Sequence, residues 1–344
     1  GYLTFSSLRD DSATAPGQPT LEELLNLYRI RSIDRETCVY GVIGWPVAQS
    51  RSPHIHNASF EAVEENAIYL PLPIPDTGGG WEHFKATLGA LLDDQHLDFA
   101  GCSVTIPHKE HLLRFAREDQ SRDWTIDPIA DRIGAANTLV VRTDESGGRG
   151  ERGGCSVHNT DAEGILAPLR ARLGTLEGVR IGIIGAGGAA RAAAVSLADA
   201  GATVLIHNRS RGRAESLAAH INTLRGPHEG SAGVAHQQQD LASCRVVINA
   251  TPVGMLGGGG GDEAGAMAID AATLDSLGKD AIVFDTVYNP AETALLRAAG
   301  ERGLTTIGGR EMFIAQAALQ FRLWTGREAP VSLMSRILDE TTGG

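Results

Sequence analysis

Apolar residues fall along this chain in two patterns: short unbroken runs, and longer stretches where they recur at helical spacing. The plainest example lies between Val179 and Ile221. Val179-Arg180-Ile181-Gly182-Ile183-Ile184 predicts a strand. The glycine turn Gly185-Ala186-Gly187-Gly188 follows, and Ala190, Ala194 and Leu197 predict a helix that Gly201 is placed to end. Thr203 to Ile206 predicts a second strand, and Ala214, Leu217, Ala218 and Ile221 form the buried face of the next helix. Val246-Val247-Ile248 and Ile282-Val283-Phe284 are unbroken runs of the kind that suits parallel strands covered on both faces.

The first half has the same grammar. Cys38 to Gly44, Ile68 to Ile74 and Phe99 to Ile106 predict strands. Between them, Ile55, Ala58, Ser59 and Ala62 predict the inner face of one helix, and Phe84, Leu88 and Leu91 mark another. Ser52 before Pro53 has the pattern of an N-cap followed by proline at the first helical position. Ala136 to Arg142 and Gly154 to His158 predict two strands joined by the polar, glycine-rich loop 143–153. Near the N-terminus, Thr20 caps a helix with Leu21, Leu24, Leu25 and Tyr28 on one face, and Glu23 completes a capping box. Met312 to Trp324 predicts a helix with Phe313, Ala317, Gln320 and Phe321 near one face, and a last helix follows Pro330. Segments 226–233 and Gly257–Gly265 are expected to be surface loops without chemistry.

Strand, glycine turn, helix and strand in that order form the context in which a glycine pattern means dinucleotide binding. Gly185 would make the tight turn, Gly187 would let a pyrophosphate approach the backbone, and Ala190 would keep the helix close to the sheet. The helix N-terminus would hold the phosphates. NAD-binding units place an acid about 20 residues beyond the glycines to bind the ribose 2′-hydroxyl. Here Asn208-Arg209-Ser210-Arg211 stands there, followed by Arg213. With no carboxylate to repel a 2′-phosphate, the pattern points to NADP, with Arg209 and Arg213 as the clamp and Ser210 as a further donor.

At 344 residues the chain is long enough for two domains. Its 42% hydrophobic and 21% charged content is that of a globular protein. A net charge of −12 argues against nucleic acid or an anionic membrane as main partner, so an anionic small molecule would need a local basic site. Cys38, Cys102, Cys155 and Cys244 form no CxxC pair, which argues against zinc or a disulfide framework and for a reducing compartment. No signal peptide or membrane span is expected, and the start at Gly1 suggests a fragment or a processed chain.

Two residues at strand ends suit proton transfer: Lys109 after one strand, Asp161 after another. A lysine and an aspartate can carry a proton to and from an alcohol as it becomes a ketone, as hydride transfer to a nicotinamide requires. The same two residues equally describe a surface ion pair. Ser50, Ser52, Thr105, Asn137, Asn159 and Gln316 are uncharged polar residues at the ends of apolar runs, a set suited to a polyol. Asn137 and Asn159 fit turn positions as well.

Several motifs occur in one order: Gly44-Trp45-Pro46-Val47-Ala48-Gln49-Ser50-Arg51-Ser52-Pro53, Ser103-Val104-Thr105-Ile106-Pro107-His108-Lys109, Gly134-Ala135-Ala136-Asn137-Thr138, Asn159-Thr160-Asp161, the turn Gly185–Arg191, Asn208-Arg209-Ser210, Asn249-Ala250-Thr251-Pro252-Val253-Gly254-Met255, Asp285-Thr286-Val287-Tyr288-Asn289-Pro290 and Glu311-Met312-Phe313-Ile314-Ala315-Gln316-Ala317. As an ordered set they resemble the shikimate dehydrogenase family. The resemblance implies NADP-dependent, reversible interconversion of 3-dehydroshikimate and shikimate, with Lys109 and Asp161 as the catalytic pair. It implies that Ser50 and Ser52 hold the substrate carboxylate with Tyr288 near it, and that Thr105, Asn137, Asp161 and Gln316 bind the ring hydroxyls. NADP would be held by Gly185, Gly187, Gly188 and Ala189 of the turn, by Asn208, Arg209, Ser210 and Arg213, and on the nicotinamide side by Ala250, Thr251, Met255, Val287 and Gly309.

The fold implied is α/β throughout: an N-terminal substrate domain completed by C-terminal helices, and a Rossmann-type NADP domain, with a cleft that closes over the ligands. On that basis residues 38–160 form the substrate domain, 161–308 the NADP domain and 309–344 the returning helices. Residues 1–30 look different. Leu3-Thr4-Phe5 and Ala15-Pro16-Gly17-Gln18 resemble the C-terminal end of a type I dehydroquinate dehydratase, the order found in the bifunctional plant enzyme, although Thr14 stands where dehydratases usually have Ser. An upstream dehydratase domain is therefore an expected partner, and the location expected is cytoplasmic, or a plastid if the source is a plant. Ser103 stands where many single-domain members have Asn. Two other readings keep this fold: a quinate-preferring relative using NAD, and a non-catalytic NADP-dependent regulator.

Overall fold

A computed structural model of the chain describes residues 19–47, 50–76, 78–143, 152–225, 232–255 and 265–342. The expected features at 2–5 and 15–18, and most of the loops 143–153, 226–233 and 257–265, lie outside the described residues. The chain divides into two compact units, one of residues 1–158 with 317–341, the other of 159–316 with 342–344. Among the described residues, no helix is long and apolar enough to cross a membrane.

The first unit contains β1 (Cys38–Gly44), α1 (Ser52–Ala62), β2 (Ala67–Pro73), α2 (Gly80–Asp93), β3 (Phe99–Val104), α3 (Lys109–Glu118), β4 (Trp124–Ile126), α4 (Pro128–Ile133), β5 (Thr138–Thr143) and β6 (Arg152–His158). Its six strands lie in the order β2-β1-β3-β5-β6-β4. β1 runs parallel to β2 and β3, while β5 is antiparallel to both β3 and β6. Ile43, Phe84, Leu88, Cys102, Leu112, Leu113 and Leu139 lie in its core. β3 ends at Val104, two residues short of the expected end, and Ile106 is 72% exposed. The apolar run continues there, but Thr105 N–H makes the last bond to β1, at Ile43 O, and the His108 N–H then turns back onto Thr105 O, which takes the chain off the sheet.

The second unit contains α5 (Asp161–Leu173), β7 (Arg180–Ile184), α6 (Gly188–Asp199), β8 (Thr203–His207), α7 (Arg211–Arg225), β9 (Ala232–Val234), β10 (Val246–Asn249), α8 (Ala271–Ser276), β11 (Ile282–Asp285), α9 (Ala294–Glu301) and β12 (Thr305–Ile307). Its sheet is parallel in every pairing, in the order β12-β11-β10-β7-β8-β9. This is the doubly wound dinucleotide-binding order, which reverses between β7 and β10. Every residue of β10 and β11 is buried, as unbroken apolar runs between two helix layers require. The chain ends with α10 (Gly309–Thr325), within which the boundary between the units falls, and α11 (Val331–Thr342).

Three local expectations are corrected. Ser52 is not an N-cap: it is the first residue of α1, Arg51 holds the cap position, and no side chain caps that end. The inner face of α1 is Ile55, His56, Asn57, Ser59 and Phe60, while Ala62 is exposed. A single stripe fails because α1 is covered on more than one side. Phe60 stacks on Phe321 and His56 meets the edge of Trp324, both on the C-terminal half of α10. Near the N-terminus the box forms, with Thr20 N–H on Glu23 Oε2 at 2.8 Å and Glu23 N–H on Thr20 Oγ1 at 3.1 Å. The turns after it are wide, however. Tyr28 N–H reaches back five residues to Glu23 O, so Leu24 and Tyr28 pack on Ile68 of β2 while Leu21 is exposed.

Gly101 of β3 shows what holds α10 on the first sheet. Its φ is +149°, and a Cβ there would meet the Leu139 carbonyl oxygen and, at 2.9 Å, Trp324 Nε1. Those two atoms are bonded, Trp324 Nε1–H donating to Leu139 O at 2.9 Å. Gly101→Ala is therefore expected to push the indole off its acceptor and to cost about 2–3 kcal/mol. Urea unfolding followed by tryptophan fluorescence measures this, and an unchanged midpoint would contradict the packing argument.

Candidate active site

In the first unit the residues of interest stand where β1, β3 and β5 meet their loops. Lys109 is the first residue of α3, half-buried, and its carbonyl accepts from Ala136 N–H at 3.0 Å. The next residue, Asn137, donates its N–H to His158 O and accepts from Val104 N–H. Its side chain is buried, and Asn137 Oδ1 accepts from Thr138 Oγ1, which in turn accepts from Gln320 Nε2 of α10. The loop carrying Lys109 and the residue Asn137 are thus pinned by one set of backbone bonds. Thr105 sits against Gly44, at which any side chain would strike the threonine methyl. His108 holds the α3 N-terminus from outside. Its Nε2 faces Ile74 O at 2.8 Å, and a carbonyl only accepts, so this nitrogen carries the proton. His108 Nδ1 and His111 Nδ1 share a hydrogen bond at 2.9 Å.

Ser50 and Ser52 are linked, Ser52 N–H donating to Ser50 Oγ at 3.3 Å. The Tyr69 phenol makes a short hydrogen bond to Ser103 Oγ. Burial pushes the Tyr69 phenol well above its usual range, so it stays protonated. His56 stacks on Tyr69 with ring centroids 4.7 Å apart, and burial drives its imidazole down to about 3, leaving it neutral. Tyr69 and His56 were not singled out in the sequence. Tyr69 is an ordinary residue of an apolar strand, and only the fold shows what its hydroxyl touches.

In the second unit Asp161 opens α5 and is buried, as are Asn159 and Thr160 before it. One turn on, Gly164 lets α5 approach α10: a Cβ there would lie 2.9 Å from Met312 O and 3.5 Å from Gln316 Cβ. The first turn of α5 and Gln316 are so brought together. Tyr288 packs its ring on Phe313 of α10 at 5.0 Å.

The glycine turn is shaped for a ligand. Gly185 has φ +121° and lies so close to the Ala250 carbonyl that a Cβ would sit 2.9 Å from its oxygen. Gly187 and Gly188 have the opposite environment, with nothing within 4 Å of where a Cβ would be. The turn is tight on its inner side and open on its outer side, at the start of α6 and at the switch point of the sheet. That is the shape a pyrophosphate fits. Ala189 follows on the first turn of α6. At the end of β8, Asn208 Nδ2 bonds to Ser210 O, and Arg209, Ser210 and Arg213 are exposed. Arg211 is engaged with Glu215 at 2.7 Å. Among the described residues Arg209 and Arg213 form no ion pair. No acid stands at this strand end, so a phosphate fits there better than a bare ribose hydroxyl.

The loops after β10 and β11 are wired together. Asn249 Oδ1 accepts from Thr251 N–H at 3.0 Å and Thr251 Oγ1 at 2.7 Å, and its Nδ2 donates to Asp285 Oδ1 at 2.9 Å. Asp285 Oδ1 also accepts from Val287 N–H at 3.1 Å. Gly309 packs against the Val287 backbone so closely that no side chain fits. Ala250, Thr251, Val287 and Gly309 are thus set by one buried network, with Met255 partly exposed beside it in sequence. Asn249 and Asp285 carry this arrangement, although the sequence analysis gave neither of them a role.

Three family models match the chain: the shikimate dehydrogenase substrate binding domain over residues 42–139, shikimate / quinate 5-dehydrogenase over 168–252, and the shikimate 5'-dehydrogenase C-terminal domain over 309–338. The chain is 35% identical to the chloroplastic bifunctional 3-dehydroquinate dehydratase/shikimate dehydrogenase of Arabidopsis thaliana, over 99% of this chain and 52% of that one. It therefore spans about half the length of that relative. It is 37% identical to the shikimate dehydrogenase (NADP(+)) of Methanocella arvoryzae, over 87% of this chain and 97% of the other. The fold is similar to that of the shikimate 5-dehydrogenase of Thermus thermophilus, crystallised with NADP(H) and shikimate, with a TM-score of 0.71 and 30% identity over 89% of this chain and all of that one. The chain belongs to the shikimate dehydrogenase family.

Proposed function

We propose that this protein interconverts 3-dehydroshikimate and shikimate with NADP. The observation that carries the cofactor half is the open face of Gly187 and Gly188 at the switch point, with exposed Arg209 and Arg213 beside it and no acid. Relatives that this chain matches over nearly their whole length are NADP(+)-dependent shikimate dehydrogenases, which supports the same reading.

In this reading the α6 N-terminus holds the pyrophosphate, Arg209 and Arg213 hold the 2′-phosphate with Asn208 and Ser210 as neutral partners, and Ala250, Thr251, Met255, Val287 and Gly309 line the nicotinamide side. When bound, the nicotinamide supplies or takes up the hydride. Lys109 Nζ gives a proton to the ketone oxygen as it becomes a hydroxyl, and takes it back in the reverse direction. Asp161 offers an acceptor-only carboxylate to a substrate hydroxyl and shares in the proton transfer. Ser50 and Ser52 orient the substrate carboxylate with hydroxyl donors, and Tyr288 stands near it. Thr105, Asn137 and Gln316 bind ring hydroxyls.

A finer reading concerns the N-terminus. The segments Leu3-Thr4-Phe5 and Ala15-Pro16-Gly17-Gln18 resemble the end of a type I dehydratase barrel, and the Arabidopsis relative is a bifunctional enzyme. An upstream dehydratase domain as partner follows from that resemblance, with a plastid location for a plant source and a cytoplasmic one otherwise.

Oxidation of shikimate and of quinate, each with NADP and with NAD, tests the function directly. Turnover confined to shikimate with NADP is expected. Turnover mainly on quinate or with NAD would replace the substrate or cofactor assigned, and NADP binding without any turnover would favour a regulator. Lys109→Ala is expected to keep NADP binding and to lower kcat by about 10²–10⁴; near-normal turnover in that variant would remove the lysine from its role. Arg209→Ala is expected to weaken NADP at least tenfold, on the order of one charge-assisted hydrogen bond, and NAD hardly at all. Equal weakening of both cofactors in titrations would contradict the clamp.

A further inference from the structure

Asp285, the last residue of β11, is a fully buried carboxylate that the proposed chemistry does not use. Its Oδ1 accepts from Asn249 Nδ2 at 2.9 Å and from Val287 N–H at 3.1 Å, and its Oδ2 accepts from Thr293 Oγ1 at 2.6 Å. The threonine proton is committed to this bond, because Thr293 is buried and Asp285 is the one acceptor its hydroxyl meets among the described residues. Three donors converge on the group, which is the bonding pattern of an ionised carboxylate. Burial, the largest influence, leaves its pKa raised, and the bonds from Thr293, Val287 and Asn249 hold that rise in check. Among the described residues no cationic side chain pairs with it. An anion is therefore held inside the second unit by neutral donors alone, one bond from Val287 and, through Asn249, two bonds from Thr251.

We propose that Asp285 makes the cofactor site favour the oxidised nicotinamide over the reduced one. The inference rests on the reading above that the nicotinamide lies against Thr251 and Val287. The oxidised ring carries a positive charge and the reduced ring is neutral. A buried, unneutralised anion behind the ring attracts only the charged form, and burial keeps salt from screening it. As hydride leaves the reduced ring, positive charge develops on it, and a fixed anion there stabilises that change without reorganising.

The test is binding, with no turnover required. Dissociation constants for NADP+ by calorimetry and for NADPH by fluorescence are compared in the unmodified chain, Asp285→Asn, Asp285→Ser and Thr293→Ser. The ratio Kd(NADP+)/Kd(NADPH) is expected to rise about fivefold or more in both neutral variants, the scale of one charge acting through several ångströms of intermediate dielectric. Thr293→Ser keeps the donor and the charge and removes only a methyl group from the loop packing, so its ratio stays at the starting value. The serine variant tests the same charge where the asparagine variant fails to fold. A loss of both affinities by one factor in the neutral variants would mean that Asp285 only shapes the loop, and would overturn the proposal. So would an unchanged ratio, or a shift in Thr293→Ser as large as in the neutral variants. Failure of the unmodified chain to bind either form would sink the cofactor reading together with the proposal, which distinguishes that case from failure of the proposal alone.

Discussion

A backbone amide or carbonyl just past the end of a buried strand has no ladder partner and little water, so it must find a local one. In this protein that requirement decides where the site residues stand. At the top of the first sheet, Thr105 N–H bonds to Ile43 O, Ala136 N–H to Lys109 O and Val104 N–H to Asn137 O. At the top of the second, the amides of Thr251 and Val287 are satisfied by the side chains of Asn249 and Asp285. The loops proposed to carry chemistry are held by the bonds that keep their backbone from being orphaned. Rigidity of the kind a hydride-transfer site needs thus follows from a packing rule and requires no separate device.

The two units meet the rule by different means. The first relies on main chain, and adds a cluster of rings in which Tyr40, His56 and Tyr69 surround Trp324. The second relies on side chains, and so places a carboxylate where no solvent reaches. Two buried titratable groups show the alternatives open to a protein. His56 is driven to its neutral form by burial. Asp285 is given three donors, a pattern that suits its charged form.

Glycine has two different tasks here, and both bear on the site. Gly101, Gly164, Gly185 and Gly309 stand where another backbone or ring is too near for a Cβ. Gly187 and Gly188 stand where nothing is near at all. The first kind brings elements of the same unit together, and the second leaves an outer surface bare for phosphate. Composition counts them alike, and only the surroundings separate them.

Although it left out β12 and put the start of β9 in a surface loop, the amino-acid order was enough to place β7, β8, β10 and β11 of the second unit, the turn at Gly185 and the missing acid near Arg209. These depend on runs, spacing and turn chemistry within a few residues of one another, which is the range over which sequence pattern and local structure are coupled. It misjudged Ala62 and Leu21, because each of those is settled by a distant partner: α10 and Ile68. Asn249 and Asp285 had no local signal for their role. Their meaning comes from strand order, which sets β10 beside β11 and their C-terminal ends together, so that one amide and one carboxylate share a bond 36 residues apart in sequence. A burial partner is a property of topology, and a short window of residues does not contain it.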